Sequence, residues 1–354
     1  MGSKAVTLLV LGVGGNVSQG ILKALAASNL DCRIIGACVD ARSVGLYLCD
    51  HALVSPFATE PEFVDWLTDA CLKFEVSGIL CGVEAVLTVL ASSRKHIEER
   101  TGARIIVSSP EALEICGDKL RTANWLRERK LNFPQSVDAQ DEAGLRSLRR
   151  EYDYPLFAKP RAGKSSQGIM KISSDAELSS VIGRQGYVVQ QYLGKPSEEF
   201  TAATFTDMRG DVRGCIVFRR QLLEGTTVSA EVVNSPAVRS EVLAIARALR
   251  PVGPCNMQLR LLGDRPVCFE INLRYSGTTP IRARLGFNDV EAGVRHYVLG
   301  EKINDLPQVT RGVALRFWSE VYIDEVALES CMRDKMLLTP RTSLKFIEAF
   351  GGQR

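Results

Sequence analysis

Histidine is scarce in this chain of 354 residues, and its three histidines have no metal-site spacing. His51, His96 and His296 lie far apart in the sequence, so no H-E-x-x-H zinc motif is present. Ten cysteines occur, but no two of them form a C-x-x-C pair, which argues against a zinc ribbon or a thioredoxin-like redox site. Zinc chemistry and thiol–disulfide chemistry are therefore disfavoured.

An excess of charge of one sign and long apolar runs are also lacking. The 44 Lys and Arg residues face 41 Asp and Glu, and the net charge of +3 is too small to indicate a nucleic-acid partner. No uninterrupted apolar run reaches ~18 residues, so no membrane span is expected. The N-terminus lacks the ordered regions of a signal peptide, and most cysteines lie in apolar runs typical of buried, reduced thiols. We therefore expect a cytoplasmic protein without nucleic-acid or membrane partners.

Strands and helices alternate over residues 1–117, which predicts a parallel α/β layer. The first apolar run ends at a glycine cluster, in which Gly12 and Gly14 fit the dinucleotide fingerprint G-x-G-x-x-G. Val17 stands where the third glycine of that fingerprint belongs. The loop Gly12–Gly15 is therefore either a nicotinamide-binding loop or a tight strand-to-helix turn.

A different pattern, of the α+β type, begins near residue 118. Lys159 ends a short strand just before a loop rich in Gly and Ser, and a second strand follows in hairpin fashion. Backbone N–H groups of such a loop can bind phosphate oxygens, and a neighbouring lysine supplies positive charge. The candidate phosphate-binding residues are Lys119, Lys159, Gly163, Ser165, Ser166 and Gly168.

The next strand offers contacts for a nucleoside. Its backbone can pair with an adenine edge, and the carbonyl of Gln190 can accept a hydrogen bond from the adenine amino group. Glu199, which follows, can bind ribose hydroxyls, with Glu198 as the alternative contact. The candidate adenine contacts are Gln190, Gln191, Tyr192 and Leu193.

A polar pair ends one of the last apolar strands. Glu270 and Asn272 are separated by two positions, which places both side chains on the same face of a strand. Gln258, on the preceding strand, can face them, and oxygen ligands of this kind suit Mg²⁺ held together with phosphates. The guanidinium of Arg274 can donate two hydrogen bonds to phosphate oxygens. A carboxylate in so apolar a strand is costly unless it is paired, so Glu270 is the hardest of these residues to explain as merely structural.

Taken together and in this order, the motifs resemble the ATP-grasp superfamily. They are Asp118-Lys119, Phe157-Ala-Lys159-Pro160, the glycine loop, Gln190-Gln-Tyr-Leu193, Glu199-Phe and Glu270-Ile-Asn272-Leu-Arg274. The metal motif is most similar to E-[VI]-N-P-R of the carbamoyl-phosphate synthetase-like branch, with Leu273 in place of proline. The resemblance covers the chain to about residue 300.

The resemblance implies a definite domain organisation. Residues 1–117 would form a Rossmann-like α/β preATP-grasp domain. Residues 118–310 would form an α+β ATP-grasp fold with a lid subdomain at about 131–194. Residues 311–354 would form a strand and helix extension packed on the ATP-grasp core.

The resemblance also implies a reaction. An ATP-dependent, ADP-forming carboxylate–amine ligase of the amino-acid type would act through an acylphosphate, with a small-molecule carboxylate and an amine as substrates. Its cofactors would be ATP and one or two Mg²⁺ ions, with Mn²⁺ as a substitute. The metal ligands would be Gln258, Glu270 and Asn272.

Five arginines are implied as catalytic or substrate-binding groups. Arg274 and Arg220 are the candidate catalytic residues, and Arg219, Arg282 and Arg284 are candidate substrate contacts. Because Arg219 and Arg220 are consecutive on a strand, one of them faces the site and the other faces away. The alternatives are a nicotinamide-dependent oxidoreductase and a non-catalytic ATP-binding module, and a homodimer is left open.

Overall fold

The computed structural model describes residues 5–163, 168–194 and 198–345. An N-terminal sheet has five parallel strands in the spatial order β3-β2-β1-β4-β5. Its strands are β1 (Val6–Leu11), β2 (Cys32–Cys38), β3 (His51–Val54), β4 (Gly78–Cys81) and β5 (Arg104–Ile105). Its helices are α1 (Asn16–Ala26), α2 (Val44–Tyr47), α3 (Phe63–Lys73), α4 (Glu84–Thr101) and α5 (Pro110–Gly117).

Helices cover both faces of this sheet, which explains the continuous apolar sequence of β1. Leu8 and Val10 pack in a cluster with α1. Leu9 and Leu11 point to the opposite face and pack with α3 and α4. The predicted Rossmann-like α/β layer is thus present.

Helix α6 (Lys119–Glu128) leads into a four-stranded antiparallel sheet at the position predicted for the lid. Its spatial order is β6-β9-β7-β8. The elements of this lid sheet are β6 (Ser136–Asp138), α7 (Glu142–Glu151), β7 (Leu156–Pro160), β8 (Met170–Ile172), α8 (Asp175–Ser179) and β9 (Tyr187–Gln191). Leu145 and Leu148 of α7 pack against Ala158 and Val189 on one face, so the other face is left for the site.

A six-stranded sheet forms the core of the second half, in the order β14-β13-β10-β11-β12-β15. Helices α6 and α9 cover one face, where Val238, Val242 and Ile245 are buried as their spacing predicts. The elements after the lid are β10 (Glu199–Thr206), β11 (Val212–Leu223), β12 (Thr226–Val232), α9 (Pro236–Leu249), β13 (Gly253–Leu262), β14 (Arg265–Asn272), α10 (Thr279–Arg284), α11 (Asp289–Gly293), a π-helical turn (Val294–Val298) and β15 (Val313–Leu315).

The C-terminal segment departs from the prediction that residues 311–354 pack on the ATP-grasp core. Within the described part of this segment, residues 311–345, β15 alone joins the core sheet, where it pairs with β12. The chain then crosses to the N-terminal domain, where Cys331 is buried in the cluster around α1 and a strand pairs antiparallel with β3. The remaining elements are β16 (Tyr322–Ile323), α12 (Glu325–Asp334), β17 (Met336–Leu338), a 3₁₀ turn (Pro340–Ser343) and β18 (Leu344–Lys345). None of the helices in the described residues is long and apolar enough to cross a bilayer.

Candidate active site

Two adjoining pockets lie on the face of the core sheet that α6 and α9 leave free. The interdomain pocket, of about 490 Å³, is bounded by the N-termini of α1 and α4, the middle of β13, the end of β14, and the loop Ser276–Thr278. The lid pocket, of about 660 Å³, lies between the lid sheet and the core sheet. The residues shared by both pockets are Lys119, Gly163, Leu222, Gln258, Phe269 and Glu270.

Strand register brings the three predicted metal ligands together. Gln258 lies directly opposite Glu270, and both strands turn these side chains into the pockets. Glu270 Oε1 accepts hydrogen bonds from Gln258 Nε2 at 3.2 Å and from Asn272 Nδ2 at 2.9 Å. The predicted same-face placement of Glu270 and Asn272 is therefore present in the structure.

The donor chemistry of this trio suits a hard cation. One carboxylate and two amide carbonyls are oxygen ligands of the kind that Mg²⁺ accepts alongside phosphates and water. Among the described residues no group of three or more His, Cys, Asp or Glu side chains is arranged around one point. A metal here would therefore rely on amide oxygens and on the nucleotide for most of its ligands.

A β-bulge beside this trio escaped the sequence prediction. The pairing moves from Gln258–Glu270 directly to Leu259–Cys268, which leaves Phe269 as the extra residue on β14. Phe269 consequently shares the pocket face with Glu270, whereas simple alternation would have buried it. Its ring lies 5.4 Å from Lys159 Nζ and 5.7 Å from the Arg260 guanidinium.

The structure places Arg220 in the site and Arg219 outside it. Arg220 lines the interdomain pocket and donates to Glu199 Oε1 and Gln258 Oε1. Arg219 is exposed and pairs across the strands with Phe200, on the face that α6 and α9 cover. The candidate role of Arg219 as a substrate contact is therefore wrong.

The two arginines of α10 line neither pocket, so both predicted substrate contacts are wrong. Arg282 is fully buried and forms a two-pronged ion pair with Asp289, with bonds of 2.7 and 3.0 Å. It also donates to the hydroxyls of Ser276 and Thr278, so it shapes the loop that lines the interdomain pocket. Arg284 points to solvent outside both pockets, because it lies two positions away on a helix whose other face is buried.

Arg274 does line the interdomain pocket, but it is already paired. Its Nη2 lies 2.6 Å from Glu84 Oε1 at the start of α4, and the Nε bond to the same oxygen is 3.0 Å. The pair joins the N-terminal domain to the strand that carries Glu270. Sequence reasoning missed Glu84, because no local signal links it to a residue 190 positions away.

The lid pocket has an aromatic and apolar wall that suits a nucleobase. Phe157 and Tyr192 stack with their ring centroids 5.6 Å apart, and Gln191 and Leu193 line the same space. Gln190 is buried and donates to Ser136 Oγ, while its Oε1 has no hydrogen-bond partner in the described part of the chain. Gln190 pairs across the strands with Phe157 and so lies on the same face of the lid sheet, but unlike Gln191 it does not line the lid pocket.

Lys159 is the most strongly perturbed cation of the site. Burial lowers the pKa of its ammonium group to about 8, and the positive charges of Arg260 and Lys119 act in the same direction. Glu270 and Glu199 oppose this shift but do not cancel it. A lysine in this state gains from a phosphate group, because an added negative charge favours its protonated form.

The glycine loop is described only at its two ends. Gly163 lines both pockets and Gly168 is exposed, and both have the positive φ angles that glycine tolerates. The candidate phosphate contacts Ser165 and Ser166 lie outside the described residues. Arg161 anchors the start of the loop with 2.7 Å bonds to Asp118 and Asp138, an anchor that sequence reasoning missed.

Comparison with known proteins agrees with this architecture. Residues 8–106 match the model of the PylC-like N-terminal domain, and residues 184–321 match the family described as ATP-grasp in the biosynthetic pathway with Ter operon. The carbamoyl phosphate synthase large chain of Methanoregula boonei is 22% identical over 331 residues, 86% of this chain and 31% of that protein. The chain thus spans less than a third of the curated relatives it matches first.

Solved structures show the same fold at low sequence identity. The N5-carboxyaminoimidazole synthetase of Staphylococcus aureus, complexed with ADP, superposes with a TM-score of 0.71 at 12% identity, over 93% of this chain and 85% of that one. The L-amino acid ligase of Bacillus licheniformis superposes with a TM-score of 0.63 at 17% identity, over 84% and 75%. The chain therefore combines a PylC-like N-terminal domain with an ATP-grasp domain.

Proposed function

We propose that the protein is an ATP-dependent ligase that joins a carboxylate to an amine through an acylphosphate, with release of ADP and phosphate. The observation that carries this proposal is the meeting of two pockets at Lys119, Gly163, Gln258 and Glu270. One pocket has aromatic walls suited to a nucleobase, and the other is polar and reaches the N-terminal domain. Phosphoryl transfer depends on positioning and charge neutralisation, which this junction can supply.

The roles of the residues follow from this arrangement. ATP would lie in the lid pocket, with its phosphates directed to the junction and held by Lys119, Lys159 and Gly163. The carboxylate substrate would enter the interdomain pocket, where its oxygen attacks the γ-phosphorus while ADP leaves. An amine nitrogen would then attack the acyl carbon, expel phosphate and lose one proton, which the departing phosphate or solvent takes up, and an amide results. Arg220 and Arg274 border this space and would stabilise the negative charge that moves during transfer.

Gln258, Glu270 and Asn272 would hold the metal ion. When bound, Mg²⁺ or Mn²⁺ would neutralise part of the charge on the transferring phosphates. The number of ions, the amino-acid nature of the substrates and the boundaries 1–117, 118–310 and 311–354 belong to the proposal. All ten cysteines are free, which supports the proposed location in a reducing, cytoplasmic compartment.

The alternatives have less support. None of the matches described above is a nicotinamide-dependent oxidoreductase, and the loop Gly12–Gly15 lies at the edge of the interdomain pocket with Gly15 lining it. A non-catalytic ATP-binding module would not need Glu270, Asn272 and Gln258 converging at the pocket junction. The ligase proposal accounts both for the position of the loop Gly12–Gly15 at the pocket edge and for the convergence of Gln258, Glu270 and Asn272.

Release of ADP and phosphate with panels of carboxylic acids and amines tests the proposal directly. Turnover that requires one acid and one amine together, with an amide product detected by mass spectrometry, would support it. Tight NADH binding without affinity for ATP would instead support the oxidoreductase. ATP binding without turnover on any pair would favour the non-catalytic module.

Lys159 makes the nucleotide affinity depend on pH. With a pKa of about 8, the lysine is mostly protonated at pH 7 and mostly neutral at pH 9 in the free protein. Affinity for the non-hydrolysable analogue AMPPNP should therefore fall about tenfold between these pH values, as titration calorimetry can measure. Lys159→Ala should bind AMPPNP much more weakly at both pH values.

A matched variant separates charge from shape at this position. Lys159→Arg keeps its positive charge over this range, so its affinity for AMPPNP should change little between pH 7 and pH 9. An unchanged affinity in Lys159→Ala, with the fold intact by circular dichroism, would show that Lys159 does not contact the nucleotide.

A further inference from the structure

Glu199 has no free hydrogen-bonding capacity, although it stands where a ribose contact was predicted. Its side chain is buried in the wall of the lid pocket. Arg220 donates to Oε1 through Nε at 3.0 Å and Nη2 at 2.7 Å. Arg260 donates to Oε2 through Nε at 3.1 Å and Nη2 at 2.7 Å.

The two arginines saturate this carboxylate. A carboxylate has two oxygens and about four lone-pair sites, and four N–H groups occupy them. Both contacts are two-pronged and charge-assisted, which makes them strong and directional. A ribose hydroxyl could donate to Glu199 only by displacing one of the arginines, so Glu199 is poorly suited to read the sugar.

The same contacts connect Glu199 to the phosphate end of the site. Arg220 Nη2 also donates to Gln258 Oε1 at 2.8 Å, and Gln258 Nε2 donates to Glu270 Oε1. A continuous polar chain thus runs across four strands from Arg260 through Glu199 and Arg220 to the candidate metal ligands. The guanidinium of Arg220 has little freedom to move, because its Nε and Nη2 both donate hydrogen bonds to Glu199.

We propose that Glu199 is a positioning residue, which fixes Arg220 beside Gln258 and Glu270 for contact with the γ-phosphate and does not read the ribose hydroxyls. This inference rests on the proposed function, since it assumes that a nucleoside triphosphate occupies the lid pocket. Glu199 thus supports binding of the third phosphate indirectly, through Arg220, and takes no part in binding the sugar. Glu199 consequently gives the site no means of rejecting deoxynucleotides.

Nucleotide binding by the wild-type protein tests the sugar half of the proposal without any substitution. Calorimetry with Mg²⁺ should give dissociation constants for ADP, 2′-deoxyADP and 3′-deoxyADP that agree within about threefold. A hydroxyl bonded to a buried carboxylate would instead favour ADP by about tenfold or more. Such a preference, if Glu199→Gln abolished it, would overturn the proposal.

The phosphate half is tested by comparing AMPPNP with ADP in Glu199→Gln. The amide is uncharged and has one acceptor oxygen for two arginines, so the anchor of Arg220 is weakened, and the wild-type preference for AMPPNP over ADP should shrink at least about fivefold. Affinity for ADP should stay within about threefold of wild type. A preserved preference for AMPPNP in a folded variant would contradict the positioning role.

Glu231→Gln is the matched control, because Glu231 is an exposed carboxylate on β12 that pairs across the strands with Arg219 on the far face of the sheet. It should bind both nucleotides as the wild type does. If the wild-type protein bound none of these nucleotides, the proposed function itself would fail. Tight binding with a strong preference for the ribose nucleotide would instead contradict only the role proposed for Glu199.

Discussion

Glu270→Ala is expected to reduce ADP formation by at least about 100-fold, the largest catalytic effect we predict. Glu270 is the one carboxylate among the three predicted metal ligands, and its Oε1 also aligns the amides of Gln258 and Asn272. The substitution therefore removes the negative ligand and releases the two neutral ones. Steady-state ADP release, measured with a coupled assay, gives the effect on kcat and KM separately.

Two further variants show whether the metal is the cause. Glu270→Asp keeps the charge and should retain more activity than Glu270→Ala, with a higher Mg²⁺ requirement. Glu231→Ala removes a carboxylate from an exposed position of the same sheet and should behave as wild type. Full turnover in Glu270→Ala would refute the assignment of this residue to the metal site.

Arg282→Ala is expected to destabilise the protein by about 3–5 kcal/mol, the largest stability effect we predict. Both side chains of the Arg282–Asp289 pair are completely buried, so the substitution leaves an uncompensated carboxylate in the interior. The hydroxyls of Ser276 and Thr278 lose their donor as well. Urea unfolding followed by circular dichroism measures the change in free energy.

Arg284→Ala provides the comparison for this prediction. Arg284 lies on the same short helix and is exposed, so its loss should change the unfolding free energy by no more than about 0.5 kcal/mol. Similar small effects from both variants would show that the buried pair is not needed for stability. A large loss of stability in Arg284→Ala alone would show that Arg284, and not Arg282, stabilises this part of the fold.

The sequence predicted the strands and helices and the order of the site motifs along the chain, because both depend on local patterns. The apolar run of β1 and the stripe on α9 follow the strand and helix periods. The same alternation put Glu270 and Asn272 on one face. It also could have identified Arg260, which lies two positions after Gln258 on the same strand.

What the sequence could not show depends on contacts between distant residues. Alternation alone cannot say which of Arg219 and Arg220 faces inward, because that choice depends on which face of β11 the helices cover. The bulge at Phe269 changes the alternation without any glycine or proline to mark it. Arg282 can be buried because Asp289 neutralises its charge. The sequence does not predict this ion pair, because it depends on how the loop between the two residues folds.

The N-terminal sheet is completed by strand β17, which lies near the other end of the sequence. The open edge of the N-terminal sheet, at β3, is closed only by residues that are synthesised almost 300 positions later. Until they leave the ribosome, the nascent N-terminal domain exposes an unpaired strand edge together with the surface that buries Cys331. A fragment cut at residue 117 would keep that edge permanently, so the first third of this protein is a poor candidate for expression by itself.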